Sequence, residues 1–265
     1  MRILAIASLL FLVLSGGALA AGSGDTARKH PEKIDWSWQG PFGTFDRQQL
    51  QRGYQVYKEV CAACHGAKLL SFRNLAQPGG PEFTEAQAKA IAAGVQVTAL
   101  NDIGETVERP ATLADRFPSP YPNDRAARAA NNNAMPPDLS VIVKARAHGI
   151  EAEGPDYIHA LLVGYSDPPA GKTVLEGLYY NPYFEGHQIA MPPPLSSDGQ
   201  VTWPEGNPPA TKDQMSRDVV AFLTWAADPH MEARKQLGVK VVLFLVFLCV
   251  LLFFAYKRQW KDVDH

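Results

Sequence analysis

Cysteine is scarce in this chain: three residues in 265. Three thiols cannot build a disulfide framework, so the fold must rest on a packed core. Positive charge is not in excess. Lys and Arg number 25 against 27 Asp and Glu, a formal net charge of −2, which argues against an electrostatic nucleic-acid binder. Disorder is excluded as well, because 46% of the residues are hydrophobic and only 20% are charged. Strand-like alternation is rare and no internal repeat is present. Gly and Pro are the plentiful residues, 21 of each, and imply long irregular connections.

Charge is missing altogether from two stretches. Met1-Arg2 precedes an apolar run from Ile3 to Leu14, followed by small residues ending Ala18-Leu19-Ala20. This pattern predicts a secretory signal peptide over 1–20, too short to span a bilayer. The second stretch, 237–256, is uncharged from Val241 to Ala255 and predicts a transmembrane anchor. Lys257, Arg258 and Lys261 follow at once, so the positive-inside rule places a cytoplasmic tail at 257–265. The exported domain is then 21–236. It carries 20 basic and 25 acidic residues, an acidic body on a basic-ended anchor. Cys249 falls mid-span, as a small apolar residue.

The other two cysteines form Cys61-Ala62-Ala63-Cys64-His65, the C-x-x-C-H attachment signature of c-type haem. Two thiols three positions apart on one turn can each add to a vinyl group of the same porphyrin, and the next residue, His65, then lies under the iron. A redox dithiol does not need the adjacent His, and a structural zinc site needs further Cys or His at matching spacing. Upstream, Asp46-x-x-Gln49 resembles a capping box, and Leu50, Gly53, Tyr54, Tyr57, Val60 and Cys61 recur at helical spacing. An amphipathic helix thus delivers the motif at its C-terminal end. Gly53 in its middle costs about 1 kcal/mol relative to Ala, either for close approach of another helix or as ordinary tolerance.

An iron with one His needs a second ligand or stays open to small molecules. Met215 falls in a helical pattern opened by Thr211-x-x-Gln214 and reads as core; Met231 abuts the anchor. Met135 and Met191 both stand in Ala-Met-Pro-Pro, where proline stiffens an extended loop. Met191 is preferred, because its loop is stiffer and is followed by the closing helix. His148, His159 and His187 are the competing ligands. Met/His ligation raises the potential relative to a bis-His site.

From Arg52-Gly53-Tyr54-Gln55-Val56-Tyr57 through the haem motif and Phe72-Arg73-Asn74-Leu75, the chain resembles the cytochrome c1 family, the haem-bearing subunits of cytochrome bc1 complexes. Further matches are Tyr121-Pro122-Asn123, Ala126–Asn132, Pro136–Ser140, Ala145-Arg146, Gly177–Phe184, Ala190-Met191 and Asp218–Ala227. The resemblance implies one haem c bound covalently through Cys61 and Cys64, with His65 and Met191 as axial ligands. It demotes Met135, and it implies that Arg146 pairs a haem propionate with Asn131 and Tyr157 nearby. It implies an electron-transfer subunit of ubiquinol:cytochrome c oxidoreductase, turning over no substrate alone. The implied partners are cytochrome b, a Rieske iron–sulfur protein and a soluble cytochrome c, within a dimeric complex in the bacterial cytoplasmic membrane, haem domain in the periplasm. Some bacterial members carry an extra Cys pair before the Met loop. That brace is absent here, so packing around Tyr179–Pro194 must hold the crevice.

The expected fold is mostly α: a class I cytochrome c enlarged by loop insertions, with one C-terminal transmembrane helix. Short helices are expected over 83–93, 124–132 and 155–163, and loops over 77–81, 116–123, 166–171 and 204–209. Glu82, Glu85, Asp102, Glu105 and Glu108 are candidate docking residues for a basic partner. Trp36 and Trp38 are expected to tie down the N-terminal segment. The competing functions are a free-standing anchored electron shuttle, which needs a long flexible linker before the anchor, and a haem enzyme or gas sensor, which needs an open sixth position.

Overall fold

The computed structural model describes residues 28–147 and 153–262. The expected signal peptide and His148 lie outside them. Among the described residues the architecture is mostly helical. The long elements are α1 (Arg47–Glu59), α5 (Glu153–Val163), α6 (Lys212–Ala227) and α7 (Met231–Gln259). Between them lie the shorter α2 (Glu85–Ala93), α3 (Asp124–Ala130) and α4 (Ile142–Ala145).

Helix α1 starts where Asp46 accepts a hydrogen bond from the Gln49 amide at 3.0 Å, and α6 starts where Thr211 accepts one from Gln214 at 3.1 Å. Each cap satisfies an otherwise orphan amide. The two helices cross with backbones in contact. A Cβ on Gly53 would stand 2.0 Å from the Asp218 carbonyl oxygen and 2.8 Å from the Phe222 Cβ. Close approach is therefore the reason for the glycine. The core spreads from this crossing through Leu50, Tyr54, Val219, Phe222 and Trp225, with Phe117 and Phe72 packed beyond.

Two charged residues stand inside this crossing. Arg52 donates to Asp218 through Nε at 2.7 Å and through a terminal nitrogen at 3.2 Å, and the Asp218 side chain is fully buried. Gln214 donates to the same carboxylate at 2.8 Å, and Arg52 also reaches Asn207 at 3.1 Å. The pair is bidentate and its remaining polar atoms are satisfied, the condition under which a buried charge is tolerated. Trp36 and Trp38 stack at 4.8 Å in the core, and the Trp36 indole donates to Asp156 at 2.6 Å, tying the N-terminal segment to α5.

Although strand-like alternation is rare in the sequence, residues 96–110 hold an antiparallel hairpin, β1 (Gln96–Leu100) with β2 (Thr106–Pro110). Its faces are exposed and half-exposed rather than buried and exposed, and its alternation is short: Val97, Ala99 and Val107 take the half-exposed face, while Leu100 breaks the pattern by standing exposed. A second ribbon, β3 (Tyr179–Tyr180) with β4 (Gln188–Ile189), closes the loop before Met191. Gly186 and His187 are both left-handed, with φ of 75° and 61°, and reverse the chain there. The buried Asn181 pins this ribbon by donating to the Leu161 carbonyl of α5 at 2.8 Å.

The C-terminal helix begins earlier than the apolar run it contains. Its first two turns dock on the globular part: Glu232 accepts from the Phe45 amide at 2.8 Å and from Arg47 at 2.8 and 2.6 Å, and Lys235 donates to the Trp38 and Gly43 carbonyls. Beyond them the helix stands free with apolar side chains exposed and is long and apolar enough to cross a membrane, with a mean hydropathy of 3.0 over its best window. No long linker separates the two parts: α6 ends at Ala227 and α7 starts at Met231.

Candidate functional site

Where α1 ends, the chain tightens into a single turn of 3-10 helix, Cys61–Ala63. The Cys64 and His65 amides both bond back to the Cys61 carbonyl, at 3.1 and 2.9 Å. This turn places both thiols and the imidazole at the rim of one cavity of about 350 Å³. The walls are apolar, built from Val60, Leu139, Ile142, Ile158, Leu161 and Leu223 among others. They come from α1, α4, α5 and α6, the elements that the helix crossing holds in place. All seven residues singled out from the sequence line this cavity: Cys61, Cys64, His65, Met191, Arg146, Asn131 and Tyr157.

The imidazole of His65 is held in one state. Its Nδ1 lies 2.8 Å from the Pro137 carbonyl oxygen. A carbonyl only accepts, so Nδ1 carries the proton and Nε2 keeps a free lone pair. Burial also holds the His65 pKa below its ordinary value, which keeps the ring neutral. A neutral imidazole with its second nitrogen bonded to a backbone carbonyl is the arrangement of a metal-ligating histidine. Desolvation, meanwhile, pushes the Cys61 thiol up to about 12. A redox-active dithiol depresses that value, so Cys61 lacks the activated thiolate of thiol–disulfide exchange.

Met135 and Met191 both reach the cavity, but from segments with different ties. The chain after Met135 belongs to the His65 side. Pro137 holds the imidazole, the Leu139 amide donates to the Gly66 carbonyl at 2.8 Å, and Asp138 accepts from the Lys68 amide at 2.9 Å. Met191 follows the β3–β4 ribbon, and its carbonyl accepts from the Tyr165 hydroxyl at 3.0 Å. His159 and His187 do not line the cavity. His159 sits between α5 and α6, 2.9 Å from the Ser216 hydroxyl and 3.2 Å from Asp213, and His187 packs on Tyr180.

Three polar residues complete the rim. Arg146 makes no ion pair among the described residues; the one hydrogen bond of its guanidinium there is a long one, 3.5 Å, to the Ala145 carbonyl. The buried Tyr157 phenol is raised by desolvation and partly pulled back by Arg146 and Arg28. The Asn131 amide is committed elsewhere, donating to the Tyr121 hydroxyl at 3.0 Å and to the Ala127 carbonyl at 2.7 Å. As placed, Asn131 shapes the rim rather than offering a donor to a ligand.

The sequence model of the Cytochrome C1 family matches residues 36–263. The chain belongs to the cytochrome c1 family. A cytochrome c1 of Rhodospirillum rubrum is 45% identical over 267 residues, covering 94% of this chain and 93% of that protein. A mitochondrial cytochrome c1 of Arabidopsis thaliana is 48% identical over 90% of this chain and 76% of its own length. A cytochrome b/c1 protein of Bradyrhizobium diazoefficiens is 49% identical over 97% of this chain, which spans only 40% of that longer protein. As a member of the cytochrome c1 family, the chain is a haem-containing electron-transfer subunit of the bc1 type. Two contributions to the site were missed from the sequence because each rests on a backbone carbonyl, that of Pro137 facing His65 and that of Met191 accepting from the Tyr165 hydroxyl. Only a three-dimensional arrangement reveals backbone acceptors of this kind.

Proposed function

We propose that this chain carries one haem c joined to Cys61 and Cys64, with His65 and Met191 as axial ligands, and serves ubiquinol:cytochrome c oxidoreductase. In this reading it sits beside cytochrome b, takes electrons from a Rieske iron–sulfur protein and delivers them to a soluble cytochrome c. Residues 21–236 form the periplasmic part, 237–256 cross the cytoplasmic membrane, and the tail is cytoplasmic. The observation that carries the reading is the locked His65 imidazole, its free Nε2 held in an apolar cavity with both thiols at the rim.

Haem c, when bound, supplies the ferrous–ferric couple, and Met/His ligation sets it at a high potential. The residues of the chain do the rest. The Pro137 carbonyl holds the His65 proton and raises the basicity of Nε2. Ile158, Leu161 and Leu223 keep water from the interior, which stabilises the less charged state. Arg146, with no ion pair among the described residues, offers its guanidinium to a carboxylate at the cavity rim. The short, docked connection to α7 supports a fixed station over a roaming shuttle.

Ligation is tested by replacing each methionine in the intact membrane complex. Met191→Leu is expected to lower the midpoint potential and to let the reduced protein bind carbon monoxide, while Met135→Leu changes neither. Reversed outcomes would move the sixth ligand to Met135. Carbon monoxide binding by the unmutated reduced protein would favour an open-site haem enzyme or sensor instead.

A further inference from the structure

The loop Gly40–Gly43 ends in a phenylalanine that packs on nothing: Phe42 is 80% exposed. This is not a frayed segment. Gly40 is left-handed, with φ of 71°, and a Cβ on Gly43 would lie 2.1 Å from the Gln39 carbonyl oxygen, so the turn is closed on itself. Lys235 clasps it from α7, donating to the Trp38 carbonyl on one side and to the Gly43 carbonyl, at 3.2 Å, on the other.

The depth of the loop follows from these contacts. The Phe45 amide meets Glu232, and two residues earlier the Gly43 carbonyl meets Lys235. Read from Phe45 back to Gly43, the backbone passes from the Glu232 carboxylate to the ammonium of Lys235, the residue nearer the apolar run on α7, and Phe42 is the next residue. The run Leu237–Tyr256 has the length, about 30 Å, of the hydrocarbon core of a bilayer. Lys235 then stands about 3 Å above the core boundary, at the headgroup level. Lys240 follows it with further positive charge, while Arg234, mostly exposed, is paired with Asp228. An exposed aromatic ring beside basic residues at that depth is the composition of an interfacial membrane contact.

We propose that the Gly40–Gly43 loop is a second membrane contact, with Phe42 seated in the lipid headgroup and upper acyl region, so that the domain rests on the bilayer as well as hanging from α7. The proposal rests on α7 being a membrane span, and its test separates the two. The full chain is taken within its membrane complex and reconstituted in phospholipid vesicles. Phe42→Cys, made with Cys249→Ala, receives a nitroxide label at position 42. Labelled Cys249 of the otherwise unchanged chain is the reference for the span. Relaxation by oxygen, which concentrates in lipid, is compared with relaxation by a water-soluble nickel chelate.

The expected result is a label at 42 relaxed several-fold more by oxygen than by nickel, but less deep than Cys249. A label at 42 that nickel reaches freely while Cys249 stays shielded overturns the loop proposal and leaves the span intact. A label immobilised and shielded from both reagents overturns it in favour of a neighbouring protein subunit. Nickel access to Cys249 would overturn the span itself. Because Phe42 packs on nothing, the substitution leaves the fold unchanged.

Discussion

Replacing Gly53 with alanine puts two opposing effects of known size against each other. Alanine is better than glycine inside a helix by about 1 kcal/mol, so an unobstructed position would be stabilised. Here the added methyl would lie 2.0 Å from the Asp218 carbonyl oxygen and 2.7 Å from its carbonyl carbon. Both are backbone atoms of α6 and cannot swing aside as a side-chain tip would. The helices must separate by more than 1 Å to reach ordinary contact at about 3.5 Å. Overpacking of a tight core costs about 1–3 kcal/mol and sometimes more. A separation of this size also stretches the neighbouring Arg52–Asp218 bonds, so the upper part of that range applies. The net expectation is a loss of about 2 kcal/mol, or about 4–8 °C in Tm for a domain of this size. Guanidinium unfolding of the haem-loaded protein, followed by tryptophan fluorescence, reads it directly. Because Val60 and Leu223, from the end of α1 and from α6, line the cavity, the haem spectrum should shift as well. An unchanged or raised stability would show that the two helices yield, and would refute the close-approach account of this glycine.

Three further outcomes follow from the same structure. Arg52→Met should cost about 3–5 kcal/mol by stranding the buried Asp218 carboxylate, and Arg52→Met with Asp218→Leu should recover much of it; equal losses in the two variants would show that Asp218 is not penalised by isolation. Burial holds the His159 pKa below 6.5 in the folded state, so the unfolded chain binds more protons. Stability is then complete above about pH 6.5 and lost as the pH falls through that value toward the lower folded pKa, and His159→Phe should flatten the slope of unfolding free energy between pH 7 and 5. Electron delivery to a basic soluble cytochrome c should slow as ionic strength rises. Asp102, Glu105 and Glu108 make no ion pair among the described residues, whereas Glu85 is neutralised by Lys89 and Glu82 by Arg47. Amide replacements at those three should therefore weaken the salt dependence more than replacements at Glu82 and Glu85.

What could be read from the chain beforehand was whatever is coded locally. The Asp46 and Thr211 caps, the face of α1, the C-x-x-C-H turn and the apolar run of α7 depend on neighbours a few residues apart, and each is present. The Ala-Met-Pro-Pro pattern marked two loops, and both reach the cavity. Features set by distant partners were hidden. Nothing local says that Arg52 is buried, because its reason is Asp218, 166 positions away. The β1–β2 hairpin was missed because its apolar alternation is short, Val97 and Ala99 on one strand and Val107 on the other, and neither face is fully buried. Asn131 lines the cavity as one of the residues singled out, and its amide bonds to Tyr121 and Ala127 were not legible beforehand. Hydropathy placed the membrane anchor at 237–256 and gave no signal for the turns before it. The helix itself begins at Met231, because its first two turns are polar where they grip Phe45, Arg47 and Trp38.

That grip makes the globular part and the membrane helix one lever. Transmembrane helices tilt by about 20° on average, and a domain of about 200 residues has a radius of gyration of about 17 Å. With the pivot clamped by Arg47, Glu232 and Lys235, each 10° of tilt carries a point at that radius sideways by about 3 Å. The packing of α7 against its neighbours in the membrane thus sets where the cavity rim stands above the bilayer. A substitution in the span, far from Cys61 and His65, can shift the docking position of a partner without touching the site, and loosening the Glu232 clamp would uncouple the two.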